Sequence, residues 1–361
     1  MRVAYLCTDR GIPYGGSKGA AVHVHELVSV LAAGGAEVLL VVARVATDAP
    51  EPPTGVRLAV LPATDSETWL RDRLAEFAPL ALYERLALHS AAGSRVARAL
   101  GIPHLVELNA PLPEEAARYR RLDAPQAAVR LERIVLRGAA AVLPVSRPLA
   151  DYAARRGARR IEIVPNAVRL DRFPAPRPRR ARPPVAVFAG ALRPWHGIET
   201  IAEAWRMLGR SAPRLLVVGD GPGSDVLRRM GADLAGHVPH DGVPAVLAGC
   251  DIGLAPYAPD GPRYFSPLKL FEYLAAGLAA VVADLPGVTD VVGPADAVVI
   301  PQGDAAALAA AVAELADDAE RRERLGRAGR ALVAREHTWE LRATRILGLV
   351  DELAAVAEVT R

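Results

Sequence analysis

The chain has 361 residues and a mass of 38.2 kDa, more than one hydrophobic core normally organises and about right for two domains. Hydrophobic residues make up 51% and charged residues 24%, which excludes a wholly disordered chain. A formal net charge of +3 is too small to indicate nucleic-acid binding. Cys7 and Cys250 lie far apart without metal-ligand spacing, and we expect both to be buried core residues.

The first apolar run is too short for a signal peptide or a membrane span, so we predict a first strand and a cytoplasmic protein. Short continuous apolar runs then alternate with longer segments of helical spacing. Such runs indicate parallel, doubly wound sheets that are covered on both faces. The first series predicts strands at 2–6, 37–42, 57–61, 80–83, 104–107, 141–144 and 161–164, and helices at 20–33, 66–77, 90–100 and 148–156.

The composition changes abruptly at residues 174–184, which are mostly proline and arginine. Proline fixes φ and lacks an N–H donor, so this stretch is predicted to be an interdomain linker. A second α/β series follows, and ligands of such sheets bind beyond the carboxyl ends of the strands, which predicts a two-substrate cleft. The second series predicts strands at 185–189, 214–218, 235–238, 251–254 and 279–283, and helices at 199–208, 225–230, 243–248, 268–276, 305–315, 319–335 and 340–357.

The loop after the first strand, residues 11–20, is rich in glycine and includes Gly15, Gly16 and Ser17. Glycine lets backbone amides approach an anionic or sugar ligand at a helix N-terminus. The spacing matches neither a dinucleotide fingerprint nor a phosphate-binding Walker loop. A plain tight turn therefore stays open as the alternative.

The loop after the first strand of the second series contains Gly190, Arg193 and His196. Gly190 frees the backbone, Arg193 can form a fork with phosphate oxygens, and His196 can donate a hydrogen bond. The alternative makes Trp195 a core aromatic residue and Arg193 a surface charge. In the next loop, Gly219–Gly223, the glycine spacing and Pro222 argue against an NAD site.

Residues 264–277 carry the strongest motif. Ser266 and Pro267 form a good helix start, with Ser266 as N-cap and Pro267 at the first helical position. The positive end of the helix dipole and Lys269 favour a diphosphate there, and Glu272, one turn later, can present a carboxylate to ribose hydroxyls. A surface Lys–Glu pair is the alternative.

Taken together, these motifs resemble the GT-B glycosyltransferases of family GT4, the retaining group 1 enzymes, over essentially the whole chain. No single motif is decisive, whereas their order and spacing are highly specific. The resembling segments are Gly15-Gly16, Val145-Ser146, residues 164–168 with 171–173, residues 218–222, residues 266–273, residues 281–287 and residues 338–340.

The resemblance implies an α/β GT-B fold with two doubly wound, Rossmann-like domains that face each other across a cleft. The implied acceptor-binding domain is 1–173, to which a helix at about 341–361 crosses back. The linker is 174–184, and the nucleotide-sugar-binding domain is 185–340.

The resemblance also implies a retaining, metal-independent hexosyltransferase without a cofactor. It would move a sugar from a UDP- or GDP-sugar to a hydroxyl of a small-molecule, lipid or glycan acceptor. The implied catalytic residues are Arg193, Lys269 and Glu272. The implied donor-binding residues are Gly16, Gly190, His196, Gly219, Val238, Ser266, Pro267, Leu268 and Glu272, and the implied acceptor or sugar contacts are Gly15, Ser17, Glu84, Glu107 and Asn109.

Three loops depart from the family pattern. Tyr264 stands where the family often has a glutamate, and Ala191 and His196 stand where an arginine and a lysine are common. After the fifth strand the usual histidine is missing, and we expect Glu107 or Asn109 to make its sugar contact. The departures leave the identity of the donor open.

Other readings stay open as well. A GT-B protein with this sequence could bind a nucleotide-sugar without catalysis, or act as an epimerase or phosphorylase. The sequence leaves the oligomeric state undetermined. A basic amphipathic segment could touch anionic lipid weakly or form a solvated helix face. Its arginines are Arg118, Arg120, Arg121, Arg130, Arg133 and Arg137.

Overall fold

The computed structural model describes residues 1–119, 122–176 and 183–359, which form two compact units. The first unit comprises Met1–Pro165 and the chain from Trp339 onward, and the second comprises Asn166–Thr338. Residues 166–173 were predicted to belong to the first domain. In the structure Val168 and Phe173 are buried in the core of the second unit. Of the expected linker 174–184, residues 177–182 lie outside the described part of the chain.

The first unit is built on a parallel sheet. Its strands are β1 (Arg2–Cys7), β2 (Glu37–Val42), β3 (Val56–Val60), β4 (Ala81–Arg85), β5 (His104–Leu108) and β6 (Ala141–Pro144). Within the described residues their order is β3-β2-β1-β4-β5-β6. The central strands are buried along nearly their whole length, because helices cover both faces of the sheet. The helices are α1 (Gly19–Ala33), α2 (Ser66–Phe77), α3 (Ala92–Leu100), α4 (Leu112–Tyr119), α5 (Pro125–Gly138) and α6 (Arg147–Arg156).

The second unit repeats this plan. Its strands are β7 (Val185–Ala189), β8 (Arg214–Val218), β9 (Asp233–Gly236), β10 (Ile252–Ala255), β11 (Ala279–Ala283) and β12 (Ala297–Ile300). Over the residues that the structure describes, the order β12-β11-β10-β7-β8-β9 again places the first strand of the unit beside the fourth. The helices are α7 (Ile198–Leu208), α8 (Ser224–Arg229), α9 (Val243–Leu247), α10 (Leu268–Ala275), α11 (Pro286–Thr289), α12 (Ala305–Asp317) and α13 (Ala319–Glu336).

The last helix, α14 (Trp339–Val359), packs in the first unit. Its Trp339 ring meets the His23 ring edge-on, with ring centroids 4.9 Å apart. Its Glu352 accepts a hydrogen bond of 2.7 Å from Arg160, in the segment after α6. Apolar and ionic contacts thus join the end of the chain to the fold of the first unit.

The predicted α/β, doubly wound fold class is confirmed by these two parallel sheets. Several elements differ from the expectation, among them helix α11, which was not predicted. Residues 161–164 run beside β6 with a single bridge, Ile161 to Val142, instead of forming a strand. β9 begins two residues earlier than predicted, and β12 was not predicted. Cys7 and Cys250 are buried, as expected.

The basic segment lies partly on α5. Arg120 and Arg121 are outside the described residues. On α5, Ile134 is 55% exposed while Val135 and Leu136 are buried, so the helix has one apolar face turned inward and one solvated face. None of the described helices is both long and apolar enough to cross a bilayer.

Arg330, on α13, ties the segment that leads into the linker to the rest of the second unit. Its guanidinium donates to the carbonyl oxygens of Phe173, at 2.9 Å, and Pro174, at 3.3 Å. The same group donates to the carbonyl oxygen of Ala275, the last residue of α10. Burial lowers the pKa of this arginine.

Candidate active site

The centre of the second unit is the gap between β7 and β10, where the strand order reverses. The two strands pair only at Ile252 with Ala186 and at Gly253 with Val187, although both continue beyond this point. The helices that follow them, α7 and α10, contribute side chains to different core clusters of the unit. A crevice of this kind, at the carboxyl ends of parallel strands, is where α/β folds bind ligands.

The Tyr273 side chain of α10 fills the gap between the diverging strands. Its hydroxyl accepts a hydrogen bond of 2.7 Å from the N–H of Ala189 and donates one of 3.3 Å to the carbonyl of Leu254. Gly253 makes room for the ring, because a Cβ there would lie 2.6 Å from it. Burial raises the pKa of the phenol, so the hydroxyl stays neutral and can both donate and accept.

Lys269 lies one helical turn before Tyr273 and is also buried. Its amine has no hydrogen-bond partner among the described residues. The nitrogen lies 4.0 Å from the centroid of the Phe188 ring and 5.7 Å from that of Tyr257, which are cation–π distances. Burial lowers the pKa of this amine to about 7, and the nearby Glu272 carboxylate offsets only part of that effect. An unsatisfied buried amine is costly and points to a missing anionic partner.

Gly190 follows β7 directly and adopts φ +131°, a conformation that residues with a Cβ rarely adopt. A Cβ at this position would lie 3.0 Å from the Lys269 nitrogen. Gly190 therefore brings open backbone against the amine. The structure thus places together Gly190, which was predicted to bind the donor, and Lys269, which was predicted to be catalytic.

His196 lies in the same loop and is held as a neutral ring. Its Nδ1 lies 2.5 Å from the carbonyl oxygen of Ala191, so Nδ1 carries the proton and donates it to that oxygen. Burial, with the positive charge of Lys269 next in importance, lowers the pKa of His196 to about 3. The N–H of His196, which was predicted to contact the nucleotide-sugar, is thus bonded to the protein backbone. The other ring nitrogen, Nε2, is left as a hydrogen-bond acceptor.

Arg193 is exposed, and its guanidinium lies over the Trp195 ring, 5.9 Å from the centroid. It is not buried beside Lys269. Several aromatic rings surround His196, and Tyr257 among them has a left-handed backbone with φ +42°. Left-handed backbone at a bulky residue is strained and often marks a functional site. The ring centroids within 6.3 Å of that of His196 belong to Phe188, Trp195, Tyr257 and Phe265.

The start of α10 differs from the prediction by one residue. Pro267 is the N-cap and Leu268 the first helical residue, and no side chain caps the helix. The expectation that Ser266 is the N-cap is wrong, because its hydroxyl accepts a 2.9 Å hydrogen bond from the N–H of Asn166. Glu272 lies one turn inside the helix, where its Oε1 is 3.5 Å from Nδ1 of His240.

The loop after β8 packs tightly against the loop after β7. A Cβ on Gly219 would lie 2.2 Å from the carbonyl oxygen of Gly190, so these two backbones touch. Leu192 donates a 3.0 Å hydrogen bond to the carbonyl of Asp220. The glycines of this loop are therefore explained by loop packing. Val238, the predicted contact for the nucleobase, is half-buried after β9 and packs on the core of the unit.

In the first unit, Glu107 occupies the carboxyl end of β5 and is 2% exposed. Although burial alone would raise its pKa, the charges of His23 and Arg85 and its hydrogen bonds hold that pKa well below the usual range. Within the described residues, its carboxylate contacts five donors. They are Tyr5 (3.4 Å), His23 (2.9 Å), Tyr83 (2.9 Å), Arg85 (2.5 Å) and the Asn109 amide.

The predicted contacts of the first unit thus have different environments. Glu107 is saturated by protein donors, and Asn109 is half-buried beside it. Glu84 is fully buried, with Oε2 2.7 Å from Nε2 of His104 and so close to α3 that a Cβ on Gly93 would collide with it. Glu84 is covered by α3 rather than presented at the strand end.

The glycine-rich loop after β1 ends at α1, which begins at Gly19. Gly15 has φ +76°, and a Cβ on it would lie 2.5 Å from Ala49, so backbone packing requires a glycine here. Gly16 is half-buried and closes a turn by donating 3.0 Å to the carbonyl of Pro13, and Ser17 is exposed. Lys18 caps α1 without a side-chain hydrogen bond. The first-turn N–H groups of α1 are thus not capped by that side chain.

No role was predicted for Tyr273, Phe188 or Tyr257, nor for the partners of Glu107 other than Asn109. Tyr273 lies within the motif at residues 264–277, and Tyr257 lies just after β10. Their contacts, however, join residues that are far apart in the chain. Arg85 is one of these partners. Its position next to Glu107 follows from the register of β4 and β5, which pairs these two residues.

Comparisons with known proteins agree with this architecture. Residues 183–318 match the family model described as glycosyl transferases group 1, and residues 18–167 match that of a glycosyl transferase 4-like domain. Together the matches span most of the chain. The chain belongs to the group 1 glycosyltransferases and has their GT-B fold.

Two curated relatives are each 29% identical to this chain. One is a teichuronic acid biosynthesis glycosyltransferase of Bacillus subtilis, matched over 48% of this chain and 46% of the relative. The other is a 2-deoxystreptamine N-acetyl-D-glucosaminyltransferase of Streptomyces fradiae, matched over 61% and 58%. The matched part thus spans about half the length of each relative.

Solved structures resemble the chain over almost its full length. Sucrose-phosphate synthase from Thermosynechococcus elongatus superposes with a TM-score of 0.79 at 18% identity, covering 98% of this chain and 99% of that one. Anabaena HepE, solved with UDP, gives a TM-score of 0.77 at 15% identity and covers 98% and 100%. At these identities the likeness establishes the fold.

Proposed function

We propose that the protein is a retaining, metal-independent glycosyltransferase that moves a sugar from a UDP- or GDP-sugar to a hydroxyl of a small-molecule, lipid or glycan acceptor. The observation that carries this proposal is Lys269. A buried amine without a hydrogen-bond partner, beside an open glycine at the carboxyl ends of two parallel strands, suits an anionic leaving group.

The donor diphosphate would bind at the start of α10. Leu268 and Lys269 are its first two residues, so free backbone N–H groups and the positive end of the helix dipole face the same point as the amine. Because His196 is neutral, Lys269 is the buried cation of this site and Arg193 the exposed one. Fixed positive groups of this kind stabilise charge that develops as the diphosphate leaves.

The nucleoside would lie further along α10. Glu272 is a carboxylate one turn from Lys269, at a distance that suits the ribose hydroxyls of the same nucleotide. His240 contacts this carboxylate and would orient it. The base would rest on the backbone near Val238, where recognition through main-chain groups leaves UDP and GDP both open.

The acceptor would bind in the first unit, at the carboxyl ends of β4 and β5. There Glu107 holds Arg85 and Asn109 by hydrogen bonds, so we assign Glu107 a positioning role and assign contact with the sugar or acceptor to Asn109. From the loop after β1, Gly15 and Ser17 would supply backbone and hydroxyl groups to the acceptor, and Gly16 would contact the donor.

The reaction would retain the configuration at the anomeric carbon. The acceptor oxygen bonds to that carbon on the face from which the diphosphate departs, while the bond to the diphosphate oxygen breaks and its electron pair leaves with that oxygen. The same oxygen takes the acceptor's proton. No protein nucleophile is needed, and Lys269 and the helix dipole bear the charge.

A screen of nucleotide-sugars tests the proposal by measuring release of UDP, GDP or dTDP, with and without acceptors. Structural relatives solved with UDP and UDP-glucose make UDP-sugars the first choice. We expect Lys269→Met to lower turnover about 10²–10³-fold, whereas the exposed Arg206→Met leaves it unchanged. Nuclear magnetic resonance of the product reads its anomeric configuration, and chelation tests metal independence. Nucleotide binding without sugar transfer from any donor would overturn the proposal.

A further inference from the structure

The proposed reaction gives Tyr273 no role, yet this residue is fully buried in the second unit. Its ring lies against Gly253 and its hydroxyl bridges Ala189 and Leu254. Without that hydroxyl, the Ala189 N–H would have no acceptor at the point where β7 and β10 separate. The bond therefore spans the gap that forms the crevice.

The same helix reaches the end of β7 a second time, at the adjacent residue. Tyr273 holds the N–H of Ala189, and Lys269, four residues earlier on the same face of α10, lies against Gly190. The adjacent residues Ala189 and Gly190 thus each contact a side chain from one of two successive turns of α10. A shift of the helix at either contact would therefore shift the other contact as well.

We propose that Tyr273 is a positioning residue that holds the Lys269 amine against Gly190 by fixing helix α10 to the end of strand β7. The inference rests on the proposed function for the role of Lys269, but the placement of the amine can be measured without any substrate. Loss of the hydroxyl would let the end of β7 move away from the helix and admit water to the amine.

The composition of the chain makes this measurement simple. Of its 44 lysines and arginines, only Lys18 and Lys269 are lysines. In protein labelled with carbon-13 at the lysine ε carbon, nuclear magnetic resonance should therefore show two signals, and Lys18→Arg assigns them. Each signal reports the ionisation of its own amine as the pH is raised.

The test compares the full-length wild type with Tyr273→Phe. The matched control is Tyr152→Phe, which removes another buried tyrosine hydroxyl, bonded to Glu132 at 2.5 Å in the first unit. We expect Tyr273→Phe to raise the titration midpoint of Lys269 by about one pH unit, since water reaches the amine. We expect Tyr152→Phe to leave the Lys269 midpoint unchanged.

Gly253→Ala provides a second variant in case Tyr273→Phe does not fold. It displaces the ring while keeping the hydroxyl, and we expect it to shift the same signal in the same direction. Identical Lys269 titrations in the wild type and in a folded Tyr273→Phe or Gly253→Ala variant would overturn the inference. A shifted midpoint in a protein that transfers no sugar would support the positioning role and count against the proposed function alone.

Discussion

The amine nitrogen of Lys269 lies 4.0 Å from the centroid of the Phe188 ring, so the cation proposed to bind the diphosphate rests on the face of an aromatic side chain. Cation–π attraction offsets only part of the cost of burying an amine. The site therefore holds unfavourable free energy until an anion enters. Two predictions follow from this relationship between function and stability.

The first concerns stability. Lys269→Met replaces the amine with a side chain of similar length, and we expect it to stabilise the fold by ~2 kcal/mol at pH 7. The pKa of Lys269 is lower in the folded protein than in the unfolded chain, so the unfolded chain binds the proton first as the pH falls. The gain should be largest at pH 7 and below, and should vanish as the pH approaches 10.5.

Urea unfolding at pH 7 and pH 10 measures this difference. Arg206→Met, an exposed cation on α7, serves as the control and should change stability by less than ~0.5 kcal/mol. A Lys269→Met protein less stable than the wild type at pH 7 would contradict the assignment of a strained, unsatisfied amine.

The second prediction concerns binding. The pKa of Lys269 is about 7, so the free protein presents an ammonium group below that pH and a neutral amine above it. We expect the affinity for UDP or GDP to fall about tenfold for each pH unit above ~7, since the proton must be taken up on binding. Calorimetric titration at several pH values measures the effect. In Lys269→Met the affinity should be low and independent of pH over the same range.

The third prediction concerns Gly190. Gly190→Ala would force a Cβ to within 3.0 Å of the Lys269 nitrogen at φ +131°. We expect loss of nucleotide affinity of about 10²-fold, because the amine must move from the place where the diphosphate binds. Gly231→Ala is the control, since it has φ +85° and nothing within 4 Å of the added Cβ. It should cost about 1 kcal/mol of stability without altering nucleotide binding. Equal affinities in the two variants would refute the close approach.

The fourth prediction concerns Glu107. Glu107→Gln removes a charge from a carboxylate that contacts five donors and leaves Arg85 buried without its ionic partner. We expect destabilisation of about 3–5 kcal/mol. Because the folded pKa of Glu107 lies below its unfolded value, its contribution is present above pH ~4.5 and is lost as the pH falls further.

Acid unfolding of the two proteins tests this account. The wild type should lose stability more steeply than Glu107→Gln below pH ~4.5. Glu203→Gln, at a half-exposed position on α7, should behave like the wild type near neutral pH, because surface ion pairs contribute less than ~1 kcal/mol. Parallel acid-unfolding curves for wild type and Glu107→Gln would show that the carboxylate is not held ionised by its partners.

The strand–loop–helix pattern was enough to predict the two doubly wound sheets and the loops that follow β1, β7 and β10. Continuous apolar runs identify buried parallel strands, and their order in the chain places ligand loops at one edge. β12 was missed because only residues 297–300 are apolar and they follow a turn. The strand predicted at residues 161–164 was wrong, since an apolar run predicts burial but does not predict full pairing with a neighbouring strand.

The motif around Lys269 and Glu272 could be predicted because both residues lie on one helix. The role of Tyr273 could not be predicted, because its partner Ala189 is 84 residues away in the chain. The partner group is also a backbone N–H, which every residue except proline has, so the residue type gives no signal. Ser266 shows the same limit: its sequence context favours an N-cap, but a backbone N–H from residue 166 uses the hydroxyl instead. Glu107 and Glu84 resemble each other in sequence context and differ in the partners that the neighbouring strand and helix bring to them.

Arg330 gives the second unit a mechanical connection. One guanidinium holds the carbonyls of Phe173 and Pro174, where the chain approaches the linker, and the carbonyl of Ala275, where α10 ends. A pull on the chain at residue 174 is therefore carried through hydrogen bonds to the far end of the helix that bears Lys269. The linker starts from an anchored point, and this path of hydrogen bonds ends at Ala275, on the helix that carries the proposed catalytic amine.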